Sequence, residues 1–412
     1  MRSATRCLAA FACQMLFLNA ASAQGGQGMT GATTTRTAAT QYIGVSLDGL
    51  FSSGWATAKE EEIGELQGGA HDPKKRGFTV QNIEMSLLGA VDPYLMGEAH
   101  LVYQLTPEGE SILEVEETFL TTMALPAGLQ IKAGHFFIEF GRLNARHPHA
   151  WNFVDQPIVN TRMFGGDGLR APGFHLSWLA PLPWYAEFKA GVHNANGETV
   201  SSFLSAAEGH GGEEEVGFAG HPFSERQVES LADLLYSFRW MNSVDLGTKT
   251  VNLGTSALSG PNATGKDTRT QILGGDLYLK WKPLRSHRGW PFVALQAEAM
   301  LRRYEAGAFV DGGLPSEVLR DWGFYVEGRW GFRPRWVAAL RVEGADGDGG
   351  NQSDPTRDSR FRLSPALTWY PSEFSKLRFQ YNYDRADHLD RPEAAFWTQF
   401  EFMLGTHPAH SF

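Results

Sequence analysis

The side chains best suited to chemistry in this 412-residue chain fall in a few short runs. GHGGEEE at 209–215 sets His210 beside Glu213, Glu214 and Glu215. An imidazole with carboxylates suits Zn²⁺ or a similar ion. The spacing matches no known ligand pattern, so the most it implies is a divalent cation held weakly on a solvated acidic loop. DGDGGNQSD at 346–354 has calcium-like oxygens but lacks the closing bidentate glutamate of an EF loop. His147 and His149 flank Pro148 and read as loop-packing residues. His100, His175 and His193 stand apart from any serine and acid whose spacing would assemble a triad. No enzyme is expected from these residues, and no cofactor.

The other chemistry is electrostatic. Residues 128–178 run from GLQIKAGHFFIEFGRLN through ARHPHAWNFVDQPIVNTRMFGGDGLRAPG to FHLSW. The two ends alternate apolar and polar residues with period two, the mark of a strand with two unlike faces. Between them lie some thirty residues rich in Gly, Pro, His and Arg, and so long a connection usually has a purpose. It carries Arg142, Arg146, Arg162 and Arg170 against Asp155 and Asp167, a positive surplus in a chain whose formal charge is −10. Trp151, Phe153 and Phe164 give it a body that can pack.

Alternation continues along the chain. It predicts sixteen strands near 42–55, 78–91, 94–105, 112–124, 128–140, 173–180, 184–194, 232–242, 248–258, 270–282, 291–304, 319–331, 335–345, 360–370, 375–386 and 395–404. Tight connections such as VDP, LPAG, APLP and FRPR alternate with long ones such as 56–77, 141–172 and 195–231. Short turns at one end and long loops at the other are the habit of an all-β, antiparallel up-and-down barrel in a bacterial outer membrane. No stretch has the eighteen consecutive apolar residues of a membrane helix. The domain reading is a secretory signal peptide at 1–23, a small polar segment at 24–41 expected to be disordered, a barrel at 42–404 and a tail at 405–412. Both cysteines, Cys7 and Cys13, fall in the signal. Two of the 36 Lys and Arg leave with it and none of the 46 Asp and Glu, so the mature charge is −12. Nucleic acid is a poor partner for such a chain; outer-membrane lipid and small solutes are the expected ones.

The strand faces differ sharply. Leu273, Leu277, Leu279 and Trp281 share one face, as do Trp322, Phe324, Val326 and Trp330, and Leu377, Phe379, Tyr381 and Tyr383. These are expected to meet lipid. The opposite faces carry Glu98 and His100, Glu114 and Glu116, Glu298 and Arg302, Arg341 and Glu343, Arg360 and Arg362, and Arg378 and Asp384. Early strands lean acidic (Glu84, Glu98, Glu114, Glu116) and late ones basic (Arg360, Arg362, Arg378), which predicts a transverse field across a wet lumen.

The runs GLQIKAGHFFIEFGRLN and NTRMFGGDGLRAPGFHLSW resemble the phosphate- and pyrophosphate-selective porin family of Gram-negative outer membranes, through Gly134, His135, Phe140, Gly141, Arg162 and Gly173. The resemblance implies a sixteen-stranded barrel, usually a homotrimer, that passes anions. The chain lacks that family's ladder of evenly repeated lumen arginines, and acids share its lumen.

Together these features predict a porin-like channel for small hydrophilic or anionic solutes. Its constriction would be the 142–172 loop, with Arg142, Arg146, Arg162 and Arg170 set against Glu98, Glu114 and Glu116 and the basic residues Arg360, Arg362 and Arg378. The alternative is a relative of TonB-dependent metal or chelate receptors that lacks their plug, since only about eighteen residues precede the first strand. A barrel phospholipase or protease is the third class.

Overall fold

The computed structural model describes residues 43–106, 108–204, 217–224 and 226–405. The expected signal peptide, the 24–41 segment, His210 with Glu213–Glu215, and the tail beyond Gly405 lie outside the described residues.

Sixteen antiparallel strands close into a barrel. In chain order they are β1 (Ile43–Ala56), β2 (Gly77–Ala90), β3 (Leu95–Leu105), β4 (Ser111–Thr122), β5 (Leu129–Phe137), β6 (Arg170–Leu179) and β7 (Tyr185–Asn194), then β10 (Leu234–Leu246), β11 (Lys249–Pro261), β12 (Arg269–Trp281), β13 (Phe292–Ala306), β14 (Glu317–Arg333), β15 (Trp336–Gly347), β16 (Arg360–Ser372), β17 (Ser375–Ala386) and β18 (Glu393–Gly405). A two-residue ladder, β8 (Gly217–Phe218) with β9 (His221–Pro222), lies in the long connection after β7. β1 pairs with both β2 and β18, so no edge is left open. Each predicted strand corresponds to one barrel strand.

Two features escape the period-two reading. Helices α1 (Glu60–Leu66) and α2 (Ile158–Phe164) sit inside long connections, each only seven residues long. A bulge interrupts the β3–β4 ladder between His100 and Leu101, so that His100 faces Glu117 and Leu101 faces Val115. The extra residue lets Glu116 and Glu117 both be buried, 1% and 5% exposed.

The two faces separate as the alternation requires. Leu253, Leu273, Leu301, Trp322, Leu340, Phe361 and Phe400 are exposed on the outside. Tyr94, Trp184, Trp330 and Trp369 are also exposed, beside the short turns, where a membrane interface favours aromatics. Inside, Glu298, Glu327, Arg341, Glu343, Arg362, Arg378 and Asp384 are buried. They are buried because the lumen is filled, and the filling is the connection between β5 and β6.

Candidate functional site: the infolded loop and its cavity

The loop enters the barrel through Gly141, whose φ is +59°. A Cβ there would lie 2.1 Å from Glu298 Oε2, so only glycine passes the β13 wall at this point. Past it, the Gly141 amide donates to Ser256 Oγ at 3.1 Å, and the Arg142 amide to Glu298 Oε1 at 2.8 Å. Phe140 and Phe164 meet edge to face at 5.2 Å. With Ile138, Val159, Met163 and Leu169 they form an apolar body at the loop's base.

The far side of the loop is fastened to β15, β16 and β17. Asp155 is the centre of the attachment. Its carboxylate accepts from Arg341 at 2.6 Å, Arg362 at 3.1 Å, Gln380 at 2.8 Å and Asn382 at 2.6 Å. Arg378 donates to the carbonyls of Phe153 and Trp151, both at 2.9 Å, and Lys376 to that of His149 at 2.6 Å. The α2 amide of Ile158 donates to Glu343 at 2.7 Å. The ring of Phe153 lies under the Arg341 guanidinium at 4.6 Å. Burial alone would raise the pKa of Asp155, but the Arg341 and Arg362 guanidiniums outweigh it and hold the carboxyl down at about 2.

This arrangement corrects one expectation. Arg362 and Arg378 do not face an open lumen across from the acidic strands; the loop lies between, and they are spent on its carbonyls and on Asp155. Arg360 donates instead to the carbonyls of Glu65 and Leu66 in α1, at 3.2 and 3.0 Å. The physical reason is that loop carbonyls buried in the lumen need donors, and these strands supply them.

The loop's four arginines divide. Arg170 pairs with Glu114 at 2.8 Å and Glu116 at 3.4 Å. Arg162 donates to the carbonyls of Arg357 and Asp358, at 3.2 and 2.6 Å. Glu98 lies 3.9 Å from His100. Arg142 and Arg146 line a cavity of about 310 Å³ with Glu117, Lys132, Glu139, Arg239 and Met241. The carboxylates here are already matched: Glu117 with Lys132 at 3.7 Å, and Glu139 with Lys189 at 2.5 Å. Arg239 is paired with Asp276 at 2.8 Å. Arg142 lies over the ring of Tyr278 at 4.4 Å and points its Nε at Gln296, 3.4 Å away. Among the described residues, no carboxylate makes an ion pair with Arg142 or Arg146. They are the positive surplus of this cavity.

Sequence reasoning missed Glu117, Lys132, Glu139 and Arg239 as lining residues. Period two could have placed Lys132 and Arg239, but the bulge hides Glu117. His193 Nε2 lies 3.1 Å from Ser237 Oγ, but its Nδ1 makes no hydrogen bond, so no carboxylate orients the ring. In the 346–354 run, Asp348 takes Arg357 at 3.0 Å and Asp354 caps the Thr356 amide at 2.9 Å, so these acids serve the loop itself.

No model of a known protein family matches the chain. It is similar to an uncharacterized protein of Aquifex aeolicus, 29% identical over 395 aligned residues that cover 88% of this chain and 78% of that protein. Among solved structures it resembles the outer-membrane channel DcaP of Acinetobacter baumannii, with TM-score 0.57 and 11% identity over 90% of this chain and all of that one. It also resembles an anion-selective porin from Comamonas acidovorans, with TM-score 0.53 and 8% identity over 88% of this chain and all of that one. A closed sixteen-stranded barrel with an apolar outer face and a polar interior is thus the fold this chain shares with outer-membrane channels.

Proposed function

We propose that this protein is an outer-membrane, porin-like channel whose infolded loop narrows the lumen and favours small anions. The observation that carries the reading is the pair Arg142 and Arg146, turned toward a cavity of about 310 Å³ whose carboxylates already have cationic partners. Fixed charge acts strongly on an ion confined beside it, and two surplus guanidiniums lower the local potential energy of an anion. The apolar outer face supports a membrane location, since a barrel presenting Leu253, Leu273, Leu301 and Phe361 to water would aggregate. The resemblance noted above adds a homotrimer to this reading, which an unheated gel would show as a band of three chains.

The test is single-channel recording in planar bilayers under a salt gradient, with chloride and then phosphate as the anion. The parent should conduct in small steps and reverse on the anion side. The Arg142→Glu, Arg146→Glu variant should reverse toward cations. A folded parent that never conducts, or that prefers cations, would remove the reading.

A further inference from the structure

We infer a divalent transition-metal site inside the barrel, of the Zn²⁺ class, formed by Glu84 of β2, His100 of β3 and His147 of the infolded loop, with Glu116 of β4 as fourth ligand. Among the described residues, Glu84, His100 and His147 form the group of His and carboxylate side chains whose donor atoms all lie within 4.8 Å of one another. His100 Nδ1 is 2.9 Å from Glu84 Oε1, and His147 Nδ1 is 3.2 Å from Glu84 Oε2 and 2.8 Å from Glu116 Oε2. Ligands bound at about 2.0–2.1 Å around a tetrahedral Zn²⁺ stand roughly 3.3 Å apart. The observed spacings are those of neighbouring ligands on one ion, compressed by a few tenths of an ångström.

The second observation is the state of the polar atoms that face this point. Glu116 is 1% exposed, yet neither of its carboxylate oxygens makes a hydrogen bond. Nor does His147 Nδ1, although an oxygen of Glu116 lies so close. Buried polar atoms are ordinarily satisfied; here Glu116 Oε1 has Arg170 at 3.4 Å and His71 at 3.6 Å, while Glu116 Oε2 and His147 Nδ1 face each other at 2.8 Å. A cation between Glu116 Oε2 and His147 Nδ1 would satisfy both.

The surroundings also fit a metal-bound imidazole. The other ring nitrogen of His147, Nε2, is 2.8 Å from Glu117 Oε2. A carboxylate that accepts Nε2–H fixes the tautomer in which Nδ1 carries a lone pair, the outer-shell arrangement common to metal-bound histidines. Two imidazole nitrogens with two carboxylate oxygens make a borderline donor set that suits Zn²⁺ and its neighbours better than Mg²⁺ or Ca²⁺. His149 Nδ1, 3.1 Å from Glu84 Oε2, is placed as a further outer partner. Because His147 belongs to the loop and the other ligands to the wall, an ion here would tie the loop to β2–β4. The Asp155 attachment is to other strands, β15–β17. Glu117, next to Glu116 in the chain, also lines the cavity described above.

The experiment uses the full-length barrel in detergent, freed of metal by EDTA and dialysis, and titrated with ZnCl₂ by calorimetry and with CoCl₂ by visible absorption. The parent should bind one equivalent of each and show Co²⁺ ligand-field bands of a four-coordinate nitrogen–oxygen site. His147→Gln and Glu84→Gln should each weaken binding by more than the roughly 10–100-fold that loss of an outer-shell partner costs. His210→Ala with Glu214→Ala should leave it unchanged, which separates this site from the exposed 209–215 run. If a ligand variant fails to close its barrel, seen as loss of heat-modified gel migration, the parent's cobalt spectrum still decides. Absence of saturable binding, an octahedral all-oxygen spectrum, or ligand variants that bind like the parent would overturn the site. Conduction does not enter these readouts.

Discussion

The carboxylate of Asp155, at the tip of the infolded loop, lies 2.6 Å from the guanidinium of Arg341 on β15, and both are buried. Arg362 approaches the same carboxylate at 3.1 Å from β16. The loop is therefore held by an ion cluster in the lumen, with backbone carbonyls docked on Arg378 and Lys376 beside it. Removing one partner of a buried pair leaves an uncompensated charge and costs about 3–5 kcal/mol. Asp155→Ala should free the loop tip from β15–β17. The expected result is a barrel that still migrates as a closed form on an unheated gel but is cut by protease within 145–165, where the parent resists. A resistant Asp155→Ala barrel would show that the carbonyl contacts alone hold the loop.

The same cluster sets a pH window. The Asp155 carboxyl is held at about 2 in the fold against its usual 3.8. A depressed carboxyl stabilises the folded state above its unfolded pKa and loses that contribution as pH falls through the folded value. Docking by Asp155 should be intact at pH 5 and above and fade between about 4 and 2. Protease-resistant loop, measured after brief acid exposure, should fall in that interval in the parent. The Asp155→Asn variant should lack this step, because its residue does not titrate. Arg341 and Arg362 stay charged throughout, while Glu343, Asp384 and Asp72 share the neighbourhood, so the difference between parent and variant carries the assignment.

At the loop's other end the constraint is steric. Gly141 has φ +59°, and a Cβ there would meet Glu298 Oε2 at 2.1 Å. That carboxylate is fixed by Tyr325 Oη at 2.7 Å and by the Arg142 amide at 2.8 Å, so it has little room to yield. A left-handed backbone with a side chain costs about 1–2 kcal/mol before any clash. Gly141→Ala should lower the temperature of heat modification and add current noise, whereas Gly349→Ala, which meets nothing within 4 Å, should do neither. Equal behaviour of the two variants would mean the loop's path does not depend on this glycine.

The barrel was legible in the chain because period two is a backbone property: each inward charge named from sequence, from Glu98 to Asp384, sits on the face that alternation assigned it. The loop's infolding was suggested by its length, its aromatics and its charge, and Trp151, Phe153 and Phe164 are indeed buried. Its partners were not legible. Arg362 meets Asp155, and Glu84 meets His147, across separations that no local pattern encodes. Glu117 was hidden by the bulge, which breaks the alternation at one residue. The two short helices were hidden because seven residues do not establish a 3.6 period. His147 and His149, read as packing residues, do pack, but against carboxylates.

The remaining prediction joins the loop to the path of ions. Replacing 146–168 by a glycine–serine link removes Arg146, the Asp155 attachment and the body that fills the lumen. It leaves Arg142 at the β13 wall. On one side it uncovers Lys376, Arg378, Arg362 and Arg341, whose charge is offset by Glu343 and Asp384 on the same strands and by Glu401 on β18. On the other side it uncovers Glu84, Glu116 and Glu117, which lose His147 and His149. The widened lumen should therefore conduct several-fold better and lean less toward anions than the parent. The Arg142→Glu, Arg146→Glu variant should instead keep a small conductance and reverse its preference, because the loop body stays in place while the local charge changes sign. Single-channel amplitude and reversal potential, recorded for both variants under one salt gradient, separate size from charge. If the shortened loop leaves the amplitude at the parent's value, the constriction lies elsewhere in the barrel and Arg142 and Arg146 face a side chamber.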